Sequence, residues 1–156
     1  MNGSREKYML LNGEPTLLAP RCEPYVFQNV HTLGGECRRM RRHVEVLASA
    51  AEQLFGVDLD LDAREAERAA RRLAEACRLT RNVTVRLIMK VYPSGDVAME
   101  YDEPSIYRGY VLRSLRPEAV CVNMAPPLWQ FPTSVAAETR ALADATARAR
   151  GFHTAL

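Results

Sequence analysis

Apolar positions along the chain change period several times, and each change marks an element. Tyr8–Leu11 and Thr16–Ala19 are apolar runs on either side of Asn12-Gly13-Glu14-Pro15, and an Asn-Gly step so placed predicts an opening β-hairpin. Pro24–Leu33 mixes aromatic and β-branched residues in partial alternation and predicts a third strand. Gly34-Gly35 turns it towards Glu36-Cys37, a fourth strand or a helix entry. From Met40 to Phe55 the period lengthens: Val44, Leu47, Ala48, Ala51, Leu54 and Phe55 recur at helical spacing, and Gly56 is the expected stop. A second helix is expected from Asp62 to Leu79. Asp62 caps it, Glu65 reaches back, and Ala66, Ala69, Ala70, Leu73 and Cys77 form its inward stripe.

The short period returns in Val83–Met89 and Asp96–Tyr101, which flank Tyr92-Pro93-Ser94-Gly95 and predict a second hairpin. Ile106–Leu115 continues as a strand, Arg116-Pro117-Glu118 breaks the pattern, and Ala119–Val122 is a short apolar strand. Pro126, Pro127 and Pro132 make an irregular connector in which Trp129 and Phe131 are expected to anchor a loop, or else to form an interface patch. Ser134–Arg150 is an alanine-rich helix closed by Gly151, with Thr133 and Ser134 as its caps, and Phe152–Leu156 starts a strand. The expected class is α+β: a mixed or antiparallel sheet with two packed helices over residues 1–118, then an incomplete second domain over 119–156. A strand, a connector, a helix and a strand start imply too few strands to cover that helix, so the chain reads as truncated or reduced from something longer.

With 156 residues there is room for one sizeable core and none for a complete two-domain enzyme. A net charge of +2 is too small to draw nucleic acid or an acidic membrane, and neither is expected as a partner. No apolar run approaches signal-peptide or membrane-span length, so the cytoplasm is the expected location. Cys22, Cys37, Cys77 and Cys121 form no C-x-x-C pair and have no His at ligand spacing. No metal site is therefore expected, and the cysteines read as free, buried thiols. Lysine occurs only as Lys7 and Lys90, the latter expected to face solvent from a strand. Arg38-Arg39-Met40-Arg41-Arg42-His43 reads as a solvated basic face, with anion binding as the alternative, because arginines at a helix start are opposed by its positive end.

Three segments together resemble the fold-type IV pyridoxal-phosphate enzymes: branched-chain and D-amino-acid aminotransferases and aminodeoxychorismate lyase. Tyr8 to Glu14 is similar to that family's opening strand ending in Asn-Gly-Glu. Val26-Phe27-Gln28-Asn29-Val30-His31, followed through Gly34-Gly35 by His43 to Ala50, resembles the family's Phe-Glu-Thr-Ile-Arg strand and its His-x-x-Arg-Leu-x-x-Ser-Ala helix. Pro132-Thr133-Ser134 through the helix to Gly151-Phe152 is similar to the opening of the family's second domain. The resemblance covers most of this chain and about the first half of a family member. It implies an aminotransferase-like fold, pyridoxal phosphate as cofactor, and a homodimer or larger homo-oligomer.

The departures fall on the chemistry. The family's phosphate-binding helix arginine corresponds to Val46, which has no donor to offer. Its strand glutamate and arginine correspond to Gln28 and His31. Its catalytic lysine would fall between Thr133 and Glu138, where there is none, and covalent attachment of the cofactor requires an amine. No catalytic residue and no intact cofactor contact is therefore expected, and the chain is expected not to transaminate. What remains is a candidate anion or ligand pocket of His31, Arg42, His43, Thr133 and Ser134, with His43 also expected to pack structurally. The alternative function is a binding or interaction module that reuses the fold, taking a small anion or a partner chain.

Overall fold

A computed structural model describes residues 7–19, 21–79, 84–102 and 118–156, and the strand expected over Ile106–Leu115 lies outside them. The chain divides into two compact units, Met1–Ile106 and Tyr107–Leu156. The first contains β1 (Tyr8–Leu11), β2 (Glu14–Leu17), β3 (Val26–Leu33), β4 (Glu36–Cys37), α1 (Met40–Phe55), α2 (Ala63–Ala76), β5 (Thr84–Val91) and β6 (Val97–Tyr101). Its strands form a six-stranded sheet in the order β2-β1-β6-β5-β3-β4, antiparallel throughout. The sheet is thus α+β in company with its helices and not mixed.

The first hairpin is tighter than the apolar runs suggested. Leu11 pairs with Glu14, leaving Asn12-Gly13 as the whole turn, and both have positive φ, 51° and 83°. That is the geometry a two-residue hairpin needs to match strand twist. Pro15 falls inside β2, where it is tolerated because β2 is an edge strand.

Alternation along the strands gives the sheet two distinct faces. Leu10, Val26, Val30, Val85, Leu87 and Met89 are buried on the face beneath the helices. Leu47 and Ala51 of α1 and Ala66, Ala70 and Leu73 of α2 are fully buried on the other side of that core. The Tyr101 hydroxyl donates to the Ala70 carbonyl at 3.1 Å and ties β6 to α2. Asp62 caps α2 as expected, accepting from the Arg64 and Glu65 amides. Glu65 does not reach back; its carboxylate lies 3.8 Å from Arg68. The helix also stops three residues before Leu79. Arg78 takes a left-handed φ of 53°, and the Arg78 and Leu79 amides return to the Glu75 and Ala74 carbonyls. This is a Schellman closure with arginine where glycine is usual.

In the second unit β7 (Ala119–Val120) and β8 (Thr154–Ala155) are parallel, with α3 (Ser134–Ala149) between them in the chain. Both strands are shorter than expected. Asp144 accepts from the Thr154 hydroxyl at 2.7 Å and the Ala155 amide at 2.9 Å, which holds β8 against α3 and keeps the Asp144 carboxyl below its usual range. Trp129 does not anchor a loop: it is 75% exposed. Nor are the cysteines buried as a set, since Cys22 and Cys121 are exposed and Cys37 and Cys77 half-buried, all four free.

Gly35 offers a direct test of the packing between the β3–β4 turn and α2. Its φ is +85°, and a Cβ there would lie 2.8 Å from the Ala74 Cβ. Backbone strain and overpacking each cost about 1–3 kcal/mol. Gly35→Ala should therefore destabilise by about 2 kcal/mol or more in urea denaturation, and more than Gly13→Ala, whose Cβ would meet nothing within 4 Å. Equal losses in the two variants would show that the turn is not pressed against α2.

Candidate functional site

The helix that carries most of the resemblance starts without help from a side chain. Arg39, its N-cap, is left-handed at φ 56° and makes no side-chain cap. Arg41 and Arg42 extend into solvent, 88% and 75% exposed, and both lean on Glu45, at 3.1 and 3.5 Å. Such pairs are worth little in water, but they offset the cost of cations at a helix start. The next residue turns inward. His43 Nδ1 is 2.9 Å from Gln28 Oε1 on β3, and Gln28 Nε2 donates to the Phe27 carbonyl. With Oε1 as the acceptor, Nδ1 carries the proton. Burial, and then the charge of Arg39, lower the His43 pKa from its ordinary 6.5. Both favour the neutral ring.

His31 does not join this group. Val30 and Thr32 on either side of it are buried and His31 is exposed, so alternation puts it on the sheet face opposite Gln28. It stands across from Arg86, which pairs with Asp102. Thr133 and Ser134 belong to the second unit, where both are buried at the start of α3 and Thr133 Oγ1 accepts from the Ala136 amide at 3.2 Å. Among the expected residues, then, only Arg42 and His43 are neighbours within the first unit.

Lys90 is not the solvated strand residue expected of it. Its Nζ lies 2.6 Å from Glu100 Oε1 and 4.9 Å from the centre of the Tyr25 ring, and the two ionic side chains are only 15% and 17% exposed. Tyr25 stands edge-on to both Phe27 and Tyr92, and the Arg21 guanidinium covers Tyr92 at 4.2 Å. Cations over aromatic faces are attracted by the ring quadrupole, so the Lys90 ammonium is held by an ion pair and a ring together. Apolar alternation alone could not have revealed this, because it does not say whether the second face of a sheet is dry.

These residues do not fit pyridoxal phosphate. The first turns of α3, from Thr133 to Glu138, carry hydroxyls, methyls and a carboxylate but no amine. Val46, half-buried on α1, offers no hydrogen-bond donor, and the Lys90 amine is already engaged by Glu100. No cluster that could hold a metal occurs among the described residues, and no helix among them is long and apolar enough to cross a membrane.

Comparison with solved structures identifies the fold as that of the class IV aminotransferases. A branched-chain amino acid aminotransferase from Thermobaculum terrenum (M4 mutant) matches with a TM-score of 0.67 at 17% identity, over 97% of this chain and 57% of that one. A branched-chain amino acid aminotransferase from T.th., complexed with N-(5'-phosphopyridoxyl)-L-glutamate, gives 0.69 at 14% identity, over 97% and 58%. A candidate 4-amino-4-deoxychorismate lyase from Legionella pneumophila gives 0.64 at 15% identity, over 85% and 51%. This chain spans just over half the length of these structures. No protein-family model and no curated protein matches it. At such identities the likeness establishes the fold and leaves function to the side chains.

The His43 environment has a consequence in acid. A histidine whose folded pKa lies below its unfolded value stabilises fully above the unfolded value, and the contribution is lost as pH falls through the window between the two. Stability should therefore decrease as pH is lowered from 7 through 6.5 and below, before carboxylates titrate, and His43→Gln should flatten that slope. Proton NMR should place the His43 midpoint below the ordinary histidine value of 6.5. A His43 midpoint at or above 6.5 would contradict the half-buried ring held by Gln28.

Proposed function

We propose that this chain is a class IV aminotransferase-like protein that does not transaminate in its present form. The observation that carries this reading is the absence of an amine where the chemistry needs one: α3 opens on Thr133-Ser134-Val135-Ala136-Ala137-Glu138, and Lys90 is paired with Glu100. Residues 1–118 would be the aminotransferase-like N-terminal domain, residues 119–156 the start of the second, and the cytoplasm its place of action. With pyridoxal phosphate and any amino acid, turnover should not exceed that of the free cofactor. Turnover that disappears in Lys90→Ala would overturn the proposal. Wild-type affinity for pyridoxal phosphate should be weaker than micromolar, and Val46→Arg should tighten it about tenfold, as one charge-assisted contact of about 1.5–3 kcal/mol would do. Equilibrium dialysis measures both.

The alternative reading, a module that binds a small anion, draws support within the first unit from the exposure of the Arg42 guanidinium next to His43. A partner chain has its own support. Leu128, Trp129, Leu142 and Leu156 of the second unit are 43%, 75%, 59% and 80% exposed, and among the described residues of α3 only Ser134 and Ala147 are buried. Apolar exposure on that scale favours association, and we take the occupant to be a second copy of this chain, giving a homodimer or larger homo-oligomer. Trp129→Asp should then shift the sedimentation profile towards monomer or cause aggregation, since an unpaired charge at an interface is costly. A wild-type monomer at high concentration would refute the association.

A further inference from the structure

Leu10 of β1 and Met99 of β6 are paired neighbours on the helix-facing side, and with Val97 they floor a cleft of 810 Å³. One wall is α2, where Glu65, Arg68, Ala69 and Arg72 recur at the i, i+3, i+4, i+7 spacing of a single helix face. The other wall is the α1–α2 connection. Its exposure alternates residue by residue, with Val57, Leu59 and Leu61 half-buried and Asp58 and Asp60 exposed, as in an extended segment that turns its apolar side inward. Val57 closes the cleft against the β5–β6 turn, its Cγ1 lying 3.7 Å from where a Cβ on Gly95 would be. Asn12, Gly13, Gly95 and Arg71 complete its lining.

Volume and lining both suit a small ligand, since such sites are typically about 300–1,000 Å³, mostly apolar, with a few convergent polar groups. The polar groups here are unequal. Asp58 and Asp60 are exposed and line the cleft beside the apolar side of the connection, and Glu65 lies by Arg68. Arg72 lines the cleft, and among the described residues it is paired with no carboxylate. A guanidinium presents a fork of donors suited to a carboxylate. We propose that this cleft binds an amphipathic monocarboxylate, its aliphatic or aromatic body over Leu10, Met99 and Ala69 and its carboxylate at Arg72, with Arg68 beside it. The site is separate from the group around His43 and does not depend on the aminotransferase-like reading.

The test uses the full chain with decanoate, below its micellar concentration, and decanol as the uncharged analogue. Calorimetry should show saturable one-to-one binding of decanoate and at least about tenfold weaker binding of decanol, the loss of one charge-assisted hydrogen bond. Arg72→Gln should weaken decanoate by a similar factor and leave decanol unchanged, while Arg64→Gln, on α2 but outside the cleft, should alter neither. Amide NMR shifts should centre on Gly13, Gly95 and residues 57–61. Absence of saturable binding would overturn the proposal, as would acid and alcohol bound alike with Arg72→Gln without effect. Shifts centred on Arg42 and His43 would overturn it too, and would favour the anion pocket at that place instead.

Discussion

The register between β3 and β5 is the constraint from which the rest of the first unit follows. All eight residues of each strand are paired, from Val26 with Val91 to Leu33 with Thr84. Since side chains alternate strictly along a strand, this register assigns every residue of both strands to one face or the other, and a slip of one residue would invert them all. It sends Val26, Gln28, Val30 and Thr32 towards the helices and Phe27, His31, Lys90 and Arg86 away from them. The Gln28–His43 contact and the Lys90–Glu100 pair are both consequences of that one alignment.

The two faces solve their polar problems differently. Under the helices the few polar groups are satisfied in place: the Thr32 hydroxyl donates to the Val85 carbonyl at 2.7 Å, and no buried side-chain nitrogen or oxygen among the described residues lacks a partner. Because an unpaired buried polar group is expensive, this makes the alanine-lined contact with α2 possible without water. On the opposite face, cations alternate with rings and carboxylates. Arg21 bridges Asp96 and Glu23 while it covers Tyr92, and Asp96 also accepts from Asn12, which bonds in turn to the Val97 amide. The tips of the two hairpins are thereby fastened to each other.

Elements defined by their own local pattern were legible in the sequence. Met40–Phe55 and its Gly56 stop, the Asn-Gly turn and the Asp62 cap depend on neighbours a few residues away. What escaped depends on distant partners or on an uncommon backbone choice. The end of α2 was misjudged because arginine, not glycine, takes the left-handed position at 78. Lys90 was misjudged because its acceptor comes from β6 and its ring from the approach to β3. Among the candidate site residues, the packing of His43 follows the family helix it resembles, whereas the exclusion of His31 from its company required the register.

The same separation makes the fold independent of the residues that chemistry would need. The fold rests on apolar period, turns and caps, and neither Val46 nor the amine-free start of α3 disturbs these. Val46 lies half-buried on α1, where an apolar side chain avoids the cost of desolvating a guanidinium with no anion beside it. The opening of α3 supplies a hydroxyl cap and then alanines, which favour helix more than most residues. A cation at the positive end of that helix would be electrostatically opposed there, so a lysine-free start is, if anything, the more stable one. A start of α3 without an amine therefore carries no folding penalty, and the architecture alone is no guide to activity.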